Sequence, residues 1–421
     1  MNKKLISFLS VLLITLWISS PVFAANNANS SSTGSNNTSN ISQTGDEHDA
    51  SVIQNGSTNT SDINQSAVNN DATVNQDGGN NTSTINQDFG GSDNIAVVTQ
   101  DGPPSNGNDN LSTINQVGSL NQAYVDQDDG NTSTIQQDGS GSIANVDQTG
   151  FSGSDDNISS IIQGDDNEAN VSQSGQLNDS VVEQGNDNFA TVIQSGDFNQ
   201  STVTQDFDQT ATVSQSGDNN TATVNQRDIG LFVPKPTSFP GNRATIDQVG
   251  DNNTATVNQD GSVGPGWSFD NDAEISQTGD WNEATVSQDD FNDATVIQSG
   301  MGTSADPNVV SINQLSNNDS AYASQAGGEG NLITITQDTF TLNEATVSQD
   351  DFNDATVIQS GMGTSADPNV VSINQLSNND SAYASQAGGE GNLITITQDT
   401  FTLNEATVSQ DDFNDATVIQ S

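Results

Sequence analysis

Residues able to do covalent or metal chemistry are few in this chain. Cysteine is absent and His48 is the one histidine. That excludes disulfides, thiolate metal sites, a cysteine nucleophile and a multi-histidine metal centre. Serine and aspartate are plentiful, but no Gly-x-Ser-x-Gly elbow stands in a suitable context, so His48 has no partners for a triad. No phosphate-cradling loop occurs, and no enzyme is expected. Aspartates that follow a recurring glutamine, such as Asp77, Asp88, Asp138 and Asp260, belong on turns as solvated charge. Weak Ca²⁺ binding between stacked carboxylates is their functional reading, although the Gly-Gly-x-Gly-x-Asp array of calcium-binding β-rolls is missing. No other cofactor is expected.

The abundant chemistry is the side-chain amide. From Gln43 a glutamine recurs, mostly at steps of 10 or 11 residues, through Gln54, Gln65, Gln76 and Gln87 to Gln420. Asn stands six before it, Ala or Ser four before, Val or Ile two before, and often Gly two after. Clear units are Asn188, Ala190, Val192 and Gln194; Asn220, Ala222, Val224 and Gln226; Asn253, Ala255, Val257 and Gln259; and Asn292, Ala294, Val296 and Gln298. A preference at every second position is the strand period, so these four side chains share one inward face. Asn and Gln amides would then stack as ladders, each donating to the next. His48 occupies an Asn position and reads as a variant ladder residue.

Those strands must be positioned by a coil. The residue four before the glutamine alternates, as in Ser39, Ala50, Ser61, Ala72, Ser83 and Ala96, and continues so to Ala211. The true period is therefore two strands, or 22 residues where nothing is inserted. This predicts an all-β, two-strand-per-coil β-solenoid of cross-β (amyloid-like) character, with a serine-lined wall facing an alanine-lined one. Such a fold needs little apolar mass, which suits 421 residues that are only 30% hydrophobic. With 55 Asp+Glu against 5 Lys+Arg, the formal charge of −50 excludes nucleic acid as a partner. A disordered acidic polymer would keep no such register.

Residues 1–24 read as a signal peptide, with Lys3 and Lys4, the apolar stretch Leu5 to Ile18 and the small-residue site Val22-Phe23-Ala24. No later segment predicts membrane insertion. Residues 25–38 are expected to be a flexible Asn/Ser-rich leader, and 39–421 the solenoid. Segments 282–342 and 343–403 are identical, and 404–421 begin a third copy. Each copy holds five register glutamines, an odd number. Successive copies should place the same strand on opposite walls, unless the connection Met301–Pro307 hides another half-coil. Between Gln226 and Gln248 the step is 22, as if one strand were replaced by Leu231–Pro236; that 227–243 insertion carries Arg227, Lys235 and Arg243 and reads as a surface loop.

The spacing Gln-x-Gly-x-x-Asn-x-Ala-x-x-x-Gln, as in Gln215, Gly217, Asn220, Ala222 and Gln226, resembles the curlin repeat of bacterial curli fibre subunits. The likeness runs over nearly all of the chain beyond the leader. It implies export through an outer-membrane channel of a Gram-negative bacterium, a nucleating subunit as partner, and homopolymeric fibres at the cell surface as biofilm matrix. The expected function is thus a secreted, self-assembling structural subunit. The alternative is a surface-binding solenoid, ice-binding or adhesive, that uses an outward threonine column: Thr191, Thr202, Thr212, Thr223, Thr245 and Thr256, interrupted by Asn170, Val181 and Glu274.

Overall fold

The structure, a computed structural model, describes residues 16–18, 25–88, 91–102, 109–150, 156–229, 241–262, 271–289, 291–338, 342–361, 363–364, 366–399, 403–411 and 414–421. Among these there are strands and turns and no helix. The chain divides into two compact units, Met1–Phe198 and Asn199–Ser421. Each is a β-solenoid of two parallel sheets, and successive strands alternate between its two walls.

In the first unit the predicted alternation is the architecture. One wall stacks Ser39 on Ser61, then Ser83, Ser112, Ser133, Ser159 and Ser180, each in parallel register with the next. The other stacks Ala50, Ala72, Ala96, Ala123, Ala144, Ala169 and Ala190. Valines and isoleucines two residues on fill the space between the walls, from Ile41 at 2% exposure to Ile161 at 0%. Each such side chain contributes about 1.5–3 kcal/mol on burial. The core is thin but continuous.

The leader is a correction. Asn27–Ser35 is a strand that pairs in register with Asp49–Ser57, and so belongs to the alanine wall. Its pattern is a degenerate repeat, with Asn26, Ala28, Ser30 and Ser32 standing where Asn, Ala, Val and Gln recur elsewhere. The weak side chains hid the strand, but their backbone groups pair as well as any other. Within the segment read as a signal peptide, Leu16–Ile18 pairs with Ile41–Gln43; the rest of 1–24 lies outside the described residues.

The second unit tests the odd-strand argument. Asn282–Gln288 stacks between Thr254–Ser262 and Asn308–Gln314 on one wall. Its identical counterpart Asn343–Gln349 lies on the other wall, between Ser320–Gln325 and Asn369–Gln375. Asp293–Gln298 and Asp354–Gln359 are exchanged the same way. The connection through Met301–Pro307 holds no strand, so the same 61 residues serve either wall. No wall position is missing around the 227–243 insertion either. Thr221–Ile229 and Arg243–Val249 follow each other on opposite walls, while 230–240 lie outside the described residues, as do Pro103, Pro104 and 263–270.

Turns stack as tightly as strands. Gly34, Gly56 and Gly78 lie in register, and Gly56 has φ of 107°, where side chains are strained. A Cβ on Gly56 would sit 1.8 Å from the carbonyl oxygen of Gly78. Gly56→Ala should therefore destabilise the first unit by at least about 2 kcal/mol, read as a lower chemical-denaturation midpoint. An unchanged midpoint would refute the stacked-turn geometry.

Candidate functional site

Within each unit the inward glutamines form continuous hydrogen-bonded files along both walls. On the serine wall Gln43 Nε2 donates to Gln65 Oε1 at 2.9 Å, and the relay continues through Gln87, Gln116, Gln137 and Gln163 to Gln184. On the alanine wall it runs from Gln54 through Gln76, Gln100, Gln127, Gln148 and Gln173 to Gln194. In the second unit one file includes Gln205, Gln226, Gln259 and Gln288. The other includes Gln215, Gln248, Gln277, Gln298 and Gln325. The second amide hydrogen crosses the core: Gln54 donates to Thr38 O at 2.8 Å, Gln226 to Thr210 O at 3.1 Å and Gln259 to Arg243 O at 2.9 Å. One residue thus ties coil to coil and wall to wall. Where Ser32 replaces glutamine below Gln54, the Gln54 Oε1 has no protein donor.

Asparagine keeps part of the expected amide-to-amide ladder, as between Asn282 and Asn253 at 3.1 Å, and adds links to the backbone. Its Oδ1 accepts the backbone N–H of the Asn one coil on, as from Asn253 N to Asn220 Oδ1 at 2.9 Å. Its Nδ2 donates to turn carbonyls: Asn220 to Gly250 O and Asn253 to Gly279 O, both at 2.7 Å. Some, such as Asn220, also donate to the Oδ1 before them, here Asn199 at 3.1 Å. The short side chain thus ties its corner to the turn of the next coil.

The sixteen residues singled out above are each at most 3% exposed. Asn188–Gln194 lies on the alanine wall of the first unit. Asn220–Gln226 and Asn253–Gln259 are neighbours on one wall of the second, with Ala222 beside Ala255, whereas Asn292–Gln298 is on the opposite wall. Thr223, between Ala222 and Val224, is half-buried on the outer face. His48, 1% exposed, plays both parts of the asparagine: Nδ1 accepts Asn70 N–H at 3.3 Å and Nε2 faces Thr44 O at 3.2 Å. Nδ1 is therefore the unprotonated nitrogen. Ser142 is a second stand-in, accepting Asn167 N–H at 3.1 Å and donating to Gly164 O at 2.7 Å.

Asp319 and Asp380 are further stand-ins that sequence reasoning passed over; their position six before Gln325 and Gln386 was the available signal. Asp319 Oδ1 accepts Asn343 N–H at 2.9 Å, while Oδ2, standing where an amide would donate, instead accepts the Ser316 hydroxyl at 2.5 Å. Ser377 serves Asp380 in the same way. Burial holds the Asp319 carboxyl above the ordinary carboxylate range, against the pull of the Ser316 and Asn343 hydrogen bonds.

Outer-face aspartates stack on one another in the first unit. Burial first, and then the Asp49 charge one coil away, raises the pKa of Asp71. Burial together with Asp77 raises Asp101, and burial together with Asp147, Asp101 and Asp128 raises Asp126. Among the described residues no three Asp, Glu or His side chains converge in a way that would hold a metal ion. Asp77, Asp88 and Asp138 are exposed and Asp260 half-buried.

Two predictions follow from the files. Gln226→Leu strands the Gln259 acceptor and the Thr210 carbonyl, and Asn220→Asp sets a carboxylate against the Gly250 carbonyl. Each should cost roughly 2–4 kcal/mol, while the outward Thr223→Ser should cost under about 0.5 kcal/mol; equal melting shifts in all three would refute the assigned faces. Separately, a carboxyl raised in the folded state stabilises fully below its unfolded pKa, and that contribution is lost as pH rises through the folded value. Asp319→Asn should therefore raise the Tm by about 2–4 °C at pH 7 and leave it unchanged below about pH 4. A pH-independent difference in scanning calorimetry would show that the carboxyl is not the cause.

Comparison with known families places the same pattern on record. The curlin associated repeat matches five segments, residues 68–102, 107–135, 185–227, 240–262 and 270–300. No curated protein matches the chain.

Proposed function

The chain belongs to the curlin associated repeat family, and from that premise we propose that it is a secreted structural subunit that self-assembles into curli-like cross-β fibres of an extracellular biofilm matrix. The export signal read in residues 1–24 supports secretion. The observation that carries the assembly reading is the exchange of identical segments between walls. Asn282–Gln288 and Asn343–Gln349 stack equally well on different neighbours and on opposite walls. A coil therefore recognises its neighbour through backbone pairing, the glutamine file and the asparagine corner, all of which any repeat supplies. A coil from a second molecule offers the same groups as the next coil of its own chain. Self-association is the partner relationship this chemistry favours; a nucleating subunit and an outer-membrane channel follow from the family alone.

A second reading gains from one observation. Sorted by wall, the outward threonines of the second unit give an uninterrupted hydroxyl column through Thr202, Thr223, Thr256, Thr285, Ser311, Thr334 and Thr356. The interruption at Glu274 falls on the other wall, beside Thr245 and Thr295. An ordered hydroxyl row suits adhesion to a regular surface, ice included. Inhibition of ice growth by monomers that form no fibres would favour it.

Incubating the secreted form with a cross-β dye and imaging the product tests the main proposal; a monomer that persists for days without fibres would sink it. Charge sets the conditions. Stacked carboxylates near 5 Å oppose close approach of acidic coils, and the Debye length falls from about 10 Å at 0.1 M salt to about 3 Å at 1 M. Asp71, Asp101 and Asp126 have raised folded pKa values, so protonation stabilises the stacked state and that gain is lost as pH rises through them. Fibres should form faster with added NaCl, with Ca²⁺ bridging carboxylates diffusely, and as pH falls from 7 towards about 4. Lag times that stay flat across both series would show that the stacked charges do not limit assembly.

A further inference from the structure

We propose that the serine wall of the first unit binds a single file of water inside the solenoid. Ser39, Ser61, Ser83, Ser112, Ser133 and Ser159 are consecutive in the stack, each no more than 1% exposed. None of their six hydroxyls has a hydrogen-bond partner in the protein. A buried hydroxyl left unpaired costs about 1–3 kcal/mol, and alanine at the same position would remove that cost. Alanine fits there. It lines the whole facing wall of this unit, and in the second unit Ala222, Ala255 and Ala284 hold the position on successive strands. Six consecutive serines where alanine fits call for a partner, and the only one of the right size is water.

The geometry of the stack suits it. Strands one coil apart are separated by about 4.8 Å, too far for one hydroxyl to reach the next. A water set at ~2.8 Å from each of two oxygens ~4.8 Å apart subtends an angle of roughly 120°, close to its tetrahedral preference. Each serine has one donor and acceptor lone pairs to spare, so it can accept from one water and donate to the next, a head-to-tail polarity like that of the glutamine file. Six hydroxyls enclose five such intervals. Space at this position is adjustable. In the second unit it admits the larger Val310 and Ile333, both buried. Facing serine with alanine leaves the small side chains that a water file needs. The site takes water by hydroxyl recognition, and it holds whether or not the chain polymerises.

Water-edited magic-angle-spinning NMR of the full isotopically labelled chain, in whichever assembly state it adopts, is the test. Slowly exchanging water should transfer magnetisation to serine β-protons of this wall and leave unmarked the methyls of Ala255 and Ala284, which hold the same position in the second unit. Those transfers should vanish from the difference spectrum of a Ser83→Ala, Ser112→Ala, Ser133→Ala variant. The variant should also melt several degrees lower, because the waters at both ends of the gap lose partners. Dry hydroxyls predict the reverse, a higher Tm on substitution and no water transfer in the wild-type chain, and that result overturns the proposal. If the variant does not fold, the wild-type spectrum alone decides: transfer to buried serines supports the file, and its absence refutes it.

Discussion

A buried primary amide carries two donors and an acceptor, and everything else in this structure depends on satisfying them. Stacking glutamine on glutamine in register does so with one hydrogen to the next coil and the other across the core, as Gln65 does with Gln87 and with Asp49 O. A slip of one residue would turn every glutamine outward and strand both partners. Register is therefore enforced by polar groups as strongly as by apolar ones. This is how a chain so poor in hydrophobic mass specifies one fold. Valine and isoleucine exclude water from between the walls; the amides decide which residue lies beside which.

The corners follow a donor–acceptor rule more closely than a residue rule. What each corner requires is an acceptor for the next backbone N–H and a donor for a turn carbonyl. Asn220 supplies both from one amide, His48 from two ring nitrogens, and Ser142 from one hydroxyl. Asp319 has no donor to offer and borrows the Ser316 hydroxyl. The same rule explains why a duplicated segment can change walls without penalty. Both walls present the same requirement, an acceptor for the corner N–H, which Asn282 finds in Asn253 Oδ1 and Asn343 in Asp319 Oδ1.

Stacking in register also has an unfavourable side. A repeat that aligns amides aligns carboxylates, and Asp71 against Asp49 or Asp126 against Asp147 are the result. Their charges face outward, where solvent and salt weaken them, while the attractive contacts are inside, where nothing does. That asymmetry leaves the repulsion open to relief by salt and by protonation, and leaves the coil itself intact.

Much was legible in the sequence by itself. The strand period, the inward set of Asn, Ala, Val and Gln, the two-strand coil and the exchange of walls between copies all rest on spacing, because side-chain alternation and an odd strand count are arithmetic. Spacing fails where side chains are weak, and so Asn27–Ser35 reads as a leader although its backbone pairs into a wall. Tertiary structure alone decided how each polar group is used. That asparagine bonds turn carbonyls of the next coil, that Ser316 rescues Asp319, that Thr202, Thr223 and Thr256 share one column and that six serine hydroxyls find no protein partner all depend on distances between residues 20 or more apart in the chain or on the shape of a turn. A repeat pattern says which residues face each other; hydrogen-bond lengths of about 3 Å decide which of them meet.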